Sequence, residues 1–140
     1  MFEVAIDTSV VVSAARSRTG ASFQLINWVR QNKVGLALSP AMVLEYEALL
    51  LRQMLETGWT KADVDEFLAF ACAVGRKVEP RFRLRPSLPD PSDEFVLELA
   101  FAAGVDFLVT LNGRHFAGAG PYGVTIIAPG EFARVFREQP

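Results

Sequence analysis

A chain of 140 residues with 14 Lys and Arg against 16 Asp and Glu, formal charge -2, has no overall basic surface to gather a polyanion, so any nucleic acid must meet a local patch. A 51% hydrophobic and 11% aromatic composition excludes disorder and suffices for a full core, so residues 1–140 are expected to form a single domain. One cysteine and one histidine exclude a disulfide framework and a zinc cluster; with no apolar run near the roughly 18 residues of a membrane span, the expected location is the cytoplasm.

In chain order, Phe2 to Asp7 is an apolar run ending abruptly in a carboxylate. It reads as a central strand, covered on both faces, that delivers Asp7 to a sheet edge. An Asp followed by Thr8 and Ser9 also fits an N-cap or turn. The further run Val10 to Val12 precedes a polar turn region, Ser13 to Gly20, with Arg16 and Arg18. A helix is expected from Ala21 to Gln31, capped by Thr19 or Ser22, and then a short strand from Val34 to Leu38. Ser39 and Pro40 read as N-cap and first residue of a helix continuing to about Glu56, with Glu45 and Glu47 in its early turns.

Gly58 and Trp59 break that helix, and Thr60 with Asp63 opens another that runs to Val74. The two read as an antiparallel pair. Arg76 to Glu79 is a candidate third strand, and Arg76, Lys77, Arg81, Arg83 and Arg85 crowd together, either to steer phosphates or as a solvated face. Prolines mark a loop from Pro86 to Pro91. A helix from Ser92 to Ala103, a strand from Val105 to Thr110, a turn at Asn112 and Gly113, a strand from Val124 to Ile127 and a terminal helix from Pro129 complete the pattern. Strands alternating with helices predict an α/β fold, a three-layer α/β/α sandwich around a mainly parallel sheet, with ligands beyond the carboxyl ends of its strands.

That layout gathers Asp7, Glu45, Asp93 and Asn112 at one sheet edge, with Asp90 three residues before Asp93. Several carboxylates together need protonation or a cation, and oxygen donors favour Mg²⁺ or Mn²⁺. A hard ion suits phosphodiester hydrolysis, whereas no glycine-rich phosphate loop supports a triphosphatase.

The pieces A-I-D-T-S-V at Ala5 to Val10, S-P-A-M-V-L-E-Y at Ser39 to Tyr46, D-P-S-D-E-F-V-L-E-L-A at Asp90 to Ala100 and F-L-V-T-L-N at Phe107 to Asn112 make the sequence resemble PIN-domain proteins. The resemblance is to the VapC-like ribonuclease toxins of toxin–antitoxin pairs. It implies a metal-dependent ribonuclease with Asp7, Glu45 and Asp93 as the acidic metal-site core, supported by Thr8, Ser9, Thr110 and Asp90. Many such nucleases carry a fourth Asp where this chain has Asn112; an amide oxygen still ligates but adds no charge. Arg16 and Arg114 are the expected contacts to the RNA backbone. His115 is read as structural or surface, because metal-activated water needs no histidine base. The resemblance also implies an antitoxin partner and a homodimer, for which the helices from Ala41 to Val74 offer the candidate surface. A PIN-like binding module without cleavage and an RNA-processing nuclease without an antitoxin are the competing readings.

Overall fold

Short apolar runs form the central strands of this molecule, because both of their faces are covered. The computed structural model describes residues 1–80 and 91–140. It places β1 (Glu3–Ile6), β2 (Gly35–Leu38), β3 (Arg76–Lys77), β4 (Phe107–Val109) and β5 (Ile126–Ile127) in one sheet, in the order β3-β2-β1-β4-β5. Every neighbouring pair is parallel. The fold is the α/β/α sandwich expected, with all five strands near their expected places. The loop from Pro86 to Asp90, together with Arg81, Arg83 and Arg85, lies outside the described residues.

The chain order reverses beside β1, where β2 continues on one side and β4 starts on the other. In an open parallel sheet that is the switch point at which a crevice opens beyond the carboxyl ends. Asp7 N–H donates to the Val109 carbonyl at 3.0 Å, and Thr110 N–H donates to the Ile127 carbonyl at 3.0 Å. The ends of β1, β4 and β5 are therefore held level with one another.

At the opposite end of the strands the order is aromatic. Phe2, Phe107 and Phe132 meet edge to face with centroids 5.3 to 6.0 Å apart, and Trp28 stacks on Phe136 at 3.9 Å. These contacts clamp α2 (Ala21–Arg30) and α7 (Pro129–Arg137) to the amino ends of β1 and β4. Such pairs contribute roughly 0.5–1.5 kcal/mol each beyond the area they bury. This aromatic cluster lies at one end of the sheet, and Asp7 and Thr110 at the other.

The largest departure from expectation is α1 (Thr8–Arg16), which replaces the run at Val10 and much of the polar turn expected from Ser13. Three consecutive valines disfavour a helix by at most about 0.7 kcal/mol each. Burying a valine side chain returns roughly 1.5–3 kcal/mol, and Val10, Val11 and Val12 are all buried. Burial wins. The next helix, α2, is capped by Gly20 with no side-chain bond, so neither Thr19 nor Ser22 serves.

In α3 (Pro40–Arg52) the expected cap is present: the Ser39 hydroxyl accepts from Met42 N–H, with Pro40 in the first turn. The helix stops earlier than expected, because Gln53 leaves helical geometry before a single turn, α4 (Met54–Thr57). Gly58 then takes φ 74°, a left-handed conformation natural to glycine. Thr60 and Asp63 form a reciprocal capping box at the start of α5 (Lys61–Val74), which packs against α3. The last long helix, α6 (Pro91–Ala103), packs against β1, β2 and β4.

Gly75 closes α5 under a constraint of space, since its φ of -69° suits any residue. A Cβ placed there would stand 2.7 Å from the Ala71 carbonyl oxygen and 3.0 Å from Leu38 Cβ. Gly75→Val is expected to destabilise the fold by about 1–3 kcal/mol, read as a lower urea midpoint at unchanged m-value.

Candidate functional site

Asp7 is only 4% exposed, at the mouth of the crevice between β1 and β4. It occupies the N-cap position of α1, yet its side chain makes no capping bond. Its carboxylate is used otherwise. Oδ2 accepts from the Thr110 hydroxyl at 2.7 Å and from the Ser9 hydroxyl at 2.9 Å. Oδ1 has a longer contact, 3.4 Å to the Thr8 hydroxyl.

Both strong donors are themselves oriented from behind. Asn112 N–H donates to Thr110 Oγ1 at 3.0 Å, and Leu111 N–H donates to Ser9 Oγ at 3.2 Å. Each hydroxyl accepts a backbone proton and so has its own proton aimed at Asp7. Hydrogen bonds to a carboxylate are the strong kind, and these offset the cost of its burial. Oδ2 is committed to the scaffold, while Oδ1 keeps accepting capacity at the wall of the cleft.

Tyr46 adds a third tie. The fully buried phenol donates to the Ile6 carbonyl, immediately before Asp7. Burial first, and the Asp7 charge second, push its ionisation well above the usual tyrosine range, so it stays a donor. Through this bond α3 is pinned to the end of β1.

A cleft of about 410 Å³ opens over these groups. Asp7, Thr8, Ser9, Arg16, Asp93, Asn112 and His115 are among the residues that line it, with Leu49 and Gln53 on its α3 side. Asp93 comes from the first turn of α6, where a carboxylate complements the helix dipole, and is 8% exposed. The structure thus brings Asp7, Asp93 and Asn112 together from three distant stretches. Thr110 lies directly behind them. Asp90 is outside the described residues.

Glu45 is not among the residues that line the cleft. The buried stripe of α3 is Met42, Tyr46 and Leu50, which turns Glu45 to a half-buried flank, one turn before Leu49. Among the described residues, no group of three or more His, Cys, Asp or Glu side chains could hold a metal ion. The expected clustering of Asp7, Glu45 and Asp93 is therefore not seen as a closed cage. Arg114 is exposed on the short 3-10 segment Gly113–Tyr122 and does not line the cleft.

His115, read from sequence as structural or surface, faces the cleft instead. Its Nδ1 lies 3.4 Å from Asp93 Oδ2. Val12, Ser13, Leu49, Gln53 and Leu111 also line the cleft without having been assigned to it from sequence; the signal for Leu49 and Gln53 was their spacing of four and eight residues from Glu45.

A family model described as PIN domain matches residues 3–114. The chain belongs to the PIN-domain family. No curated protein gives a significant match. Among solved structures, this PIN domain is similar in fold to a chain from the crystal structure of VapBC2 from Rickettsia felis bound to a DNA fragment from their promoter. The TM-score is 0.64 at 14% identity, over 90% of this chain and 98% of that one.

The donor set of the PIN cleft fits a hard divalent ion. Mg²⁺ is commonly held by one or two carboxylates, with water and substrate phosphate completing its shell, so a complete protein cage is not required. Asp7 and Asp93 supply two carboxylates to one open cleft, and Asn112 offers an amide beside them.

The hydroxyl behind Asp7 is directly testable. Thr110→Val removes the donor to Oδ2 and the acceptor for Asn112 N–H at a buried site. A loss of about 1–3 kcal/mol in urea unfolding is expected, with Thr110→Ser retaining most of the stability.

Proposed function

We propose that this PIN-domain protein is a Mg²⁺- or Mn²⁺-dependent endoribonuclease, the toxin of a toxin–antitoxin pair. The observation that carries the reading is the Asp7 carboxylate: held from behind through Oδ2, retaining capacity on Oδ1, and facing the cleft that Asp93 also lines. Such a carboxylate suits a cation better than a structural cap, which it does not form.

When bound, the ion supplies Lewis-acid activation of water and neutralises charge on the phosphodiester. The chain's own groups divide the rest. Asp7 and Asp93 hold the cation, Asn112 contributes an amide oxygen, and Thr8, Ser9 and Thr110 keep Asp7 fixed. Glu45 is assigned to the same acidic rim from the flank of α3. Arg16, on the cleft wall, and Arg114, just beyond Asn112, meet the RNA backbone.

The distribution of cations supports that last role. Arg30, Lys61, Arg76 and Arg134 are engaged with Glu66, Asp65, Glu3 and Glu131. Among the described residues, Arg16 and Arg114 have no such carboxylate partner, which is true also of Arg18, Lys33, Arg52 and Arg137. What supports the role of Arg16 and Arg114 is the place of Arg16 on the cleft wall and of Arg114 next to His115. Leu44, Leu51 and Leu55 are exposed along α3 and α4, which supports a protein partner on that face, a second copy or an antitoxin. The fold likeness to VapBC2, crystallised on promoter DNA, supports the antitoxin.

A PIN-like module that binds RNA or protein without cutting is the second reading. It is favoured by Asn112 and by the open arrangement of acids among the described residues.

Incubation with a mixed RNA pool separates the two. Cleavage is expected with Mg²⁺ or Mn²⁺ and not with EDTA. Asp7→Asn and Asp93→Asn are expected to lower kcat on the order of 10²-fold or more, and Arg16→Ala to raise KM chiefly. Undiminished cleavage by Asp7→Asn removes the nuclease assignment.

A further inference from the structure

The one histidine of the chain sits where an all-oxygen site would not need it. The His115 backbone N–H donates to the Asn112 carbonyl at 2.9 Å, closing a tight turn after the β4 end. That turn leaves the imidazole at the cleft, its side chain 48% exposed, with Nδ1 3.4 Å from Asp93 Oδ2. A buried packing role does not account for a half-exposed ring. Nor is this a well-formed direct hydrogen bond, for which N···O distances run from about 2.7 to 3.2 Å.

The spacing is close to that of two donors sharing an ion. Ligands at right angles, each with a bond of about 2.2 Å, stand about 3.1 Å apart. At 3.4 Å, Asp93 Oδ2 and His115 Nδ1 are close to that separation, and a turn of the Asp93 side chain opens the buried Oδ2 to an ion. From this geometry we infer that His115 is a nitrogen ligand beside Asp93, and that the site takes a first-row transition ion such as Mn²⁺ in preference to Mg²⁺. The inference rests on the proposed metal-dependent reading and specifies its ion.

The chemistry follows from the donors. Mg²⁺ is a hard ion that sheds water reluctantly and prefers oxygen, so an imidazole adds little to its binding. Transition ions accept imidazole readily, with affinity rising from Mn²⁺ through Co²⁺. Carboxylate oxygen alone would leave the site near indifferent between Mg²⁺ and Mn²⁺. His115 supplies the difference.

The experiment is calorimetric titration of the full chain with MnCl₂ and with MgCl₂, paired with pulsed electron paramagnetic resonance of bound Mn²⁺. In the unaltered protein Mn²⁺ is expected to bind about tenfold or more tighter than Mg²⁺, with a directly coordinated ¹⁴N in the spectrum. His115→Gln keeps a polar side chain at an exposed position and offers oxygen instead. It is expected to reduce the Mn²⁺ preference roughly tenfold, hold Mg²⁺ affinity within about twofold, and erase the nitrogen coupling. His115→Ala is expected to do the same, and thermal melts check that both variants fold.

Mn²⁺ that binds without nitrogen coupling, or a Mn²⁺ to Mg²⁺ ratio unchanged in His115→Gln, overturns the inference. In that outcome, loss of Mn²⁺ binding in Asp7→Asn still supports the metal-dependent reading. Failure of the unaltered protein to bind Mn²⁺ overturns the inference, while RNA cleavage that is lost with EDTA still supports the metal-dependent reading.

Discussion

The bond from Thr110 to Asp7 joins the carboxyl ends of the two strands that flank the switch point of the sheet. Without it, an acid that is 4% exposed would sit between parallel strands with its charge poorly compensated. The bond is effective because its donor is itself committed: Asn112 N–H occupies the Thr110 oxygen, so the hydroxyl proton points inward. Ser9 repeats the device from α1, with Leu111 N–H behind it. Two consecutive backbone amides after β4 thus reach one carboxylate oxygen through two hydroxyls. The loop after β4, the first turn of α1 and the end of β1 become a single rigid unit.

That unit explains which parts of the sequence were legible. Short apolar runs bounded by Gly, Pro or polar residues marked four of the five strands, because strands covered on both faces need no alternation, whereas β3 is the exposed pair Arg76–Lys77 and carries no such run. Ser39 with Pro40 and Thr60 with Asp63 announced their helices, since each cap satisfies a donor that nothing else near it can. The helix from Thr8 was missed because the polar stretch after Val12 read as a turn, and only the finished core shows the three valines buried together on a helix. The break at Gln53 carries no proline or glycine to mark it. At the site, Asp7 and Asp93 were legible as acids at the edges of elements. The stance of Glu45 was not, since it depends on how Tyr46 turns α3 against the Ile6 carbonyl. His115 was passed over for a chemical reason, the lack of need for a histidine base, whereas its position follows from the turn at Asn112.

Polarity along the sheet separates two tasks. The aromatic cluster around Phe132 and the ion pair of Arg76 with Glu3 lie toward the amino ends of the strands, and Arg76 also donates to the Ala103 carbonyl at the end of α6. These contacts tie β3, β1 and α6 together without touching the cleft. The carboxyl ends can then carry buried charge, whose cost is borne by a frame stabilised elsewhere. It follows that the cleft is tolerant of exchange among its exposed residues and intolerant of change behind Asp7.

The proposed chemistry also fits a cleft with few acids. The two carboxylates that line the cleft, Asp7 and Asp93, balance the charge of one divalent ion, so a phosphodiester approaching the loaded site meets only the charge of Glu45 from the flank of α3. A fourth Asp in place of Asn112 would tighten the hold on a second ion and repel the substrate when that ion is absent. With an amide at that position, and with Arg16 on the wall, the electrostatics favour assembly of ion and RNA together over a permanently filled metal centre. A site completed by its substrate needs no closed cage, which is the arrangement the described residues show.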